Sequence, residues 1–230
     1  MLDYSQLYLP PTEELPDSDE TPVDNELQDL IPSLLKATLA MIWADRLDWF
    51  FGIDMGIYYD GDKPPFVPDG FLSLGVERII DEYLRRSYAV WEEEKVPTLM
   101  LEVVSETHRG EYSTKMRDYA ELGVLFYVIY NPLRRKKAHL EVHRLIHGKY
   151  ELQSGNPVWL AEIGLGIGCE QGTYQGIRRE WLYWYNEQGK RVPTPEESAM
   201  AEKQGRQAAE ERAKMLAEKL RSLGIDPETI

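Results

Sequence analysis

Six consecutive residues, Leu99-Met100-Leu101-Glu102-Val103-Val104, constrain the fold more than any other stretch of this chain. All but Glu102 are apolar, and the run lacks the in-out alternation of a strand with one wet face. It reads as a central strand covered on both sides. A sheet covered on both sides needs layers above and below it, which the surrounding sequence must provide. Glu102 is the anomaly. A carboxylate among apolar strand residues costs several kcal/mol unless it is paired, hydrogen-bonded or bound to a cation. Either something compensates it, or the side chain reaches solvent at a strand end.

The covering layers are legible on both sides of that run. From Asp24 onward, Leu27, Leu30, Ile31, Leu34, Leu35, Met41 and Ile42 recur at steps of three and four, which marks one buried helix face. Pro32 conflicts with an uninterrupted helix, so the helix is either kinked there or begins near it. Segments rich in aromatic and β-branched residues at Trp49–Tyr59, Phe66–Leu74, Tyr88–Glu92 and Leu99–Val104 predict strands. A helix is expected over Glu111–Leu122, closed by Gly123 in the left-handed conformation, and then a strand over Val124–Tyr130. Downstream, His147-Gly148 between two short strands signals a hairpin, and Trp181–Tyr185 before Asn186-Glu187-Gln188-Gly189 predicts another. The order of helix, strands, helix and strand indicates an α/β or α+β sandwich.

The ends differ from this middle. Residues 1–23 hold Pro10-Pro11, Pro16 and Pro22 among acids and read as an acidic, disordered arm. The body, 24–192, is the expected folded domain, and 230 residues at 43 % hydrophobic suit one core of about 150–190 residues. Residues 193–230 shift to Ala, Glu, Lys, Gln and Arg. Ala209, Ala213, Leu216, Leu220 and Leu223 there step by four, three, four and three, a short coiled-coil seam that is either a solitary amphipathic helix or a route to a dimer. No apolar stretch reaches the roughly 20 residues that span a bilayer, so no membrane partner is expected. With the single Cys169 no internal disulfide forms, and a cytoplasmic location is expected.

The formal charge of -14 argues against a protein that coats nucleic acid. Much of it lies in residues 1–30, which carry nine acids and no Lys or Arg. The body is nearly neutral and can still present a local basic face, for which Arg134-Arg135-Lys136-Lys137 is the candidate. The alternative for that run is a solvated loop after a strand.

Glu102 has a natural companion in Asp69 of Pro68-Asp69-Gly70. Two carboxylates with a main-chain carbonyl make a hard-oxygen set of the kind Mg²⁺ or Mn²⁺ prefers. Other candidates are weaker. Ser105 has no glycine-flanked elbow and no indicated histidine partner, and reads as a cap of the following helix. His108, His139, His143 and His147 lack zinc-ligand spacing and give no tetrahedral set among themselves. Gly164-Leu165-Gly166-Ile167-Gly168 matches neither a Walker loop nor a dinucleotide fingerprint, and a turn or bulge is expected.

Taken in order, Pro68-Asp69, Leu101-Glu102-Val103-Val104-Ser105, Lys115, Tyr119-Ala120, Gly123-Val124, Tyr127 and Asn131-Pro132 resemble the Uma-two family, within the PD-(D/E)XK nuclease superfamily. The resemblance covers about residues 25–192. It implies a restriction-endonuclease-like core, a mixed central sheet flanked by helices, with DNA as substrate and Mg²⁺ or Mn²⁺ as cofactor. It implies that Asp69 and Glu102 are metal ligands and that Val103 lends its carbonyl. The superfamily lysine two positions after the acid is absent, since Val104 stands there; the family pattern has a lysine on the following helix, here Lys115. Lys115 would then orient or activate the attacking water. Glu111, one helical turn before it, and Asp54, in an early strand, are accessory candidates. The expected function is thus a Mg²⁺-dependent endonuclease. Its rival is a catalytically inactive scaffold of the same fold, associating through the C-terminal helix.

Overall fold

The computed structural model describes residues 9–15, 25–80, 84–105, 110–133 and 138–223. The basic run Arg134–Lys137, His108 and most of the acidic arm lie outside these residues. Within the arm, Thr12–Glu14 forms a single 3-10 turn whose Thr12 amide donates to Glu92 (2.8 Å). The chain divides into two compact units, 1–192 and 193–230.

In the first unit, α1 spans Glu26–Ile42 and settles the question raised by Pro32: the helix starts six residues before it and runs through it. Asn25 caps the N-terminus by accepting from the Leu27 amide (3.0 Å), and Glu26 and Asp29 place negative charge in the first turn, where the helix dipole favours it. Leu30, Ile31, Leu34, Leu35 and Leu39 are buried, as their periodicity requires.

The main sheet has six strands: β1 (Trp49–Ile53), β3 (Gly70–Leu74), β5 (Leu99–Val103), β6 (Phe126–Tyr130), β7 (Leu140–Ile146) and β8 (Lys149–Leu152). They lie in the order β1-β3-β5-β6-β7-β8, with β5 and β6 parallel and every other pair antiparallel. Between β1 and β3 the short β2 (Ile57–Tyr58) pairs with β4 (Tyr88–Ala89). Three predicted strands are therefore shorter than expected. The Trp49–Tyr59 run breaks at Asp54, which takes a positive φ of 47°; Phe66 makes only an isolated bridge to Ile57. Beyond Ala89 the chain turns into a one-turn helix, α2 (Val90–Glu93).

β5 is buried along its whole length, as its composition demands. Leu101, Val103, Val128 and Tyr130 join a core with α1 and a second sheet made of β9 (Val158–Leu160), β10 (Leu165–Tyr174) and β11 (Ile177–Tyr185). Met100, Tyr127 and Ile129 face the opposite layer, which contains α3 (Thr114–Leu122). Trp184 ties α1 to β11 by donating its indole N–H to the Leu35 carbonyl (3.0 Å).

The glycine-rich run opens on the expected turn, where Gly164 takes a positive φ of 76°, but from Leu165 onward it is the start of β10. A Cβ on Gly168 would lie 2.5 Å from Asn156 Oδ1, an atom already accepting from the Cys169 amide, so the close approach of the preceding loop requires glycine there. The His147-Gly148 hairpin is present, both residues having positive φ, as a two-residue type I′ turn demands. The Asn186–Gly189 turn returns the chain only as far as an isolated bridge between Tyr185 and Arg191. In the second unit, α4 (Pro195–Ser222) opens with a capping box in which Thr194 and Glu197 exchange hydrogen bonds. Among the described residues, no helix is long and apolar enough to cross a membrane.

Candidate active site

Strand register places the two predicted carboxylates side by side. Gly70 pairs with Leu101 across antiparallel β3 and β5, so one step further Asp69 stands opposite Glu102. The same step on β1, where Ile53 pairs with Gly70, sets Asp54 beside Asp69. Three acids thus form a row across adjacent strand ends. Asp54 is exposed at the break after β1.

Glu102 is compensated on both oxygens. Lys115 Nζ donates to its Oε2 at 2.7 Å and the Tyr119 hydroxyl to its Oε1 at 2.6 Å, both from α3. The Glu102 side chain is 3 % exposed and that of Lys115 26 %, so the pair is largely withdrawn from water. Each carboxylate oxygen has a second lone pair, which leaves acceptor capacity for a cation. The interval from Lys115 to Tyr119 is one helical turn, so both donors project from one face.

Asp69 accepts from the Val103 amide at 2.6 Å. The carbonyl of the same residue receives the Gln28 side-chain amide from α1 at 3.4 Å. Val103 is thereby held at both of its backbone polar atoms while its side chain fills the core.

The electrostatics follow from burial and like charge. Asp69 is pushed up to about 8, first by loss of solvent and then by the neighbouring Glu102, with a smaller push from Asp54; the Val103 amide and Lys115 oppose this. Burial likewise lifts Glu102 above the ordinary carboxylate range, against the pull of Lys115 and Tyr119. For Lys115, burial works against the charge, but Glu102, with Asp69 and Glu111, outweighs it and holds the ammonium above its usual value. The hydroxyl of Tyr119 is far above the usual phenol range, mainly through burial.

Glu111 requires a correction. It does not sit on the helix one turn before Lys115, because α3 begins at Thr114 and Glu111 lies in the preceding turn. The turn is fixed by the Lys115 amide donating to Gly110 (3.0 Å) and the Tyr127 hydroxyl donating to the Glu111 carbonyl (2.9 Å). Glu111 is nevertheless buried, and close enough for its charge to act on both Glu102 and Lys115.

Sequence reasoning missed Gln28 as a contributor and left Tyr119 without a role. Gln28 carries no local signal, since a polar residue near a helix start is ordinary. Tyr119 could have been found by placing it one turn from Lys115.

Asp69, Glu102 and the Val103 carbonyl together make an all-oxygen donor set with net negative charge, which fits a hard divalent cation. The arrangement is a pair of facing carboxylates on a mixed sheet with an ammonium group at its edge, a candidate site for a cation. By sequence, residues 17–170 match the Uma2 family, whose description is "Putative restriction endonuclease", and the chain belongs to that family. The match begins inside the acidic arm and ends within β10. A crystal structure of "a putative nuclease belonging to DUF820" from Anabaena variabilis is similar over 60 % of this chain and 73 % of that one, at 11 % identity and a TM-score of 0.44. No curated protein matches the chain.

Proposed function

We propose that this protein is a divalent-cation-dependent endonuclease that hydrolyses DNA phosphodiester bonds. The observation that carries the reading is Asp69 standing opposite Glu102, with Lys115 Nζ 2.7 Å from the Glu102 carboxylate. Family membership supports the same class.

Asp69, Glu102 and the Val103 carbonyl would hold Mg²⁺ or Mn²⁺, which when bound supplies positive charge to the scissile phosphate and makes water a better nucleophile. The chain's own residues prepare the rest. Tyr119 and Lys115 keep the Glu102 carboxylate oriented, and Gln28 and Asp69 fix the Val103 peptide between them. Lys115, held protonated by its acidic neighbours, acts as a donor that orients water and offsets phosphate charge; it does not take up the proton. Asp54 and Glu111 add negative charge at the two margins. The nearly neutral body, apart from its acidic arm, is compatible with a polyanionic substrate. The reaction belongs to the cytoplasm, in keeping with a chain that has one cysteine.

The test is nicking of supercoiled plasmid at low salt with Mg²⁺, with Mn²⁺ and with chelator. Cation-dependent nicking is expected from wild type and none from Asp69→Ala. Absence of nicking by folded wild type under every cation would overturn the reading in favour of an inactive scaffold.

The partner for α4 is, in this reading, a second copy of the chain. The seam Ala209, Ala213, Leu216, Leu220 and Leu223 runs along the helix, and Leu216 is 66 % exposed. Sedimentation equilibrium is expected to give a dimer for wild type and a monomer for Leu216→Glu/Leu220→Glu. Identical masses would exclude pairing through this seam.

A further inference from the structure

On the face of the main sheet opposite Glu102, three residues distant in sequence converge. His139 immediately precedes β7, and its carbonyl accepts from the Asn131 amide at 2.8 Å, which fixes it at the end of the β6–β7 pair. Its ring lies against Tyr130, centroid to centroid 4.8 Å. Tyr130 belongs to the core shared with β9–β11, and its hydroxyl donates to the Glu180 carbonyl at 2.8 Å. Tyr130 pairs with Val103, whose side chain points away from that of Glu102, so this cluster and the carboxylate site use opposite faces.

Cys169 and Glu180 meet this ring from the second sheet. Cys169 pairs with Leu182 across β10 and β11, and Glu180, two residues before Leu182, is its diagonal neighbour on one face. The Asn156 side chain clamps the Cys169 backbone, accepting from its amide at 2.7 Å and donating to its carbonyl at 2.9 Å. His139 Nδ1 contacts Glu180 Oε1, and one ligand atom from each of His139, Cys169 and Glu180 lies within 4.8 Å of the others. The nearby Arg179 guanidinium is turned to the Glu180 carbonyl (3.1 Å) and the Trp181 ring.

From this geometry we propose that His139, Cys169 and Glu180 form a second metal site, selective for Zn²⁺-class ions and separate from the carboxylate site. Thiolate and imidazole are softer donors than the carboxylate-carbonyl set, so the two sites sort borderline from hard cations. Ligands about 2.0–2.3 Å from a tetrahedral Zn²⁺ stand roughly 3.3–3.8 Å apart, a spacing this cluster reaches by parting the touching His139 and Glu180 around the ion. A thiolate and a carboxylate together neutralise the ion. Binding displaces the thiol proton and any proton held between His139 and Glu180 to solvent, and three protein ligands leave the fourth position to water. The ion would staple the start of β7 to β10 and β11. Histidine spacing gave no hint of it, because the other two ligands are a cysteine and a glutamate on other strands. The proposal does not depend on the nuclease reading.

Cobalt(II) titration of the full-length protein tests it, in wild type and in Asp69→Asn/Glu102→Gln, which silences the oxygen site. One equivalent is expected to give a near-ultraviolet thiolate-to-cobalt band with visible bands of tetrahedral intensity, both bleached by Zn²⁺. Cys169 is the chain's one cysteine, so the band can arise from no other residue. His139→Ala and Glu180→Gln, checked for folding by circular dichroism, are expected to weaken cobalt binding by roughly 100-fold or more. Folded protein that gives no thiolate band, or variants that bind as tightly as wild type, would overturn the proposal.

Discussion

Asp69→Asn is expected to abolish cation-dependent nicking and, in the cation-free protein, to remove a large part of the loss of stability on going from acid to mildly alkaline pH. The two effects share one cause. Asp69 is pushed up from 3.8 to about 8 in the fold, so the native state binds its proton far more tightly than the unfolded chain does. A group shifted in that direction contributes its stability fully below the unfolded value. The contribution falls as pH rises and is gone above about 8. Its slope is at most about 1.4 kcal/mol per pH unit. Asparagine has the shape of the neutral acid and no proton to lose. Urea denaturation in chelator at a series of pH values, wild type against Asp69→Asn, isolates the difference. Parallel curves would show that Asp69 is not desolvated beside Glu102 as the geometry requires. A divergence in slope with nicking retained would leave the electrostatics intact and remove Asp69 from the reaction.

Lys115→Met is expected to cost about 2–4 kcal/mol of stability at neutral pH and to lower nicking by roughly 10²- to 10⁴-fold. Deleting one partner of a withdrawn ion pair leaves the other charge stranded, and Glu102 then keeps only the Tyr119 hydroxyl. The range lies below that for a fully buried pair because Lys115 retains some contact with water. The double variant Lys115→Met/Glu102→Gln removes both charges and should regain most of the stability without regaining activity. This separates a folding defect from a catalytic one. If the single variant is as stable as wild type, the pair is not buried in solution. If it nicks at the wild-type rate, Lys115 has no part in the chemistry.

The sequence by itself determined the central strand, with one carboxylate set into it, and the buried face of α1. These depend on local composition and period: five apolar residues around Glu102 admit little but a strand covered on both sides, and Leu30, Ile31, Leu34 and Leu35 fall on one helical stripe whatever they pack against. Lys115 was found through the resemblance, since on composition it is one more surface lysine. Pro32 shows where local rules stop. A proline interior to a helix is unfavourable in isolation, yet α1 runs through it because its apolar stripe is buried against β5 and β11 on both sides of that position. The start of α3 shows the reverse, with Gly110 and the Tyr127–Glu111 contact ending the turn so that Glu111 falls outside the helix.

Tertiary structure alone decided which groups meet. The register of β3 on β5 puts Asp69 opposite Glu102, and a slip of one residue would turn it to the other face. Gln28 and Val103 are 75 positions apart, and His139 and Glu180 are 41 apart. Periodicity reports which face of an element is buried. Contacts across such separations depend on how layers stack and strands align, and no local pattern in the chain encodes them.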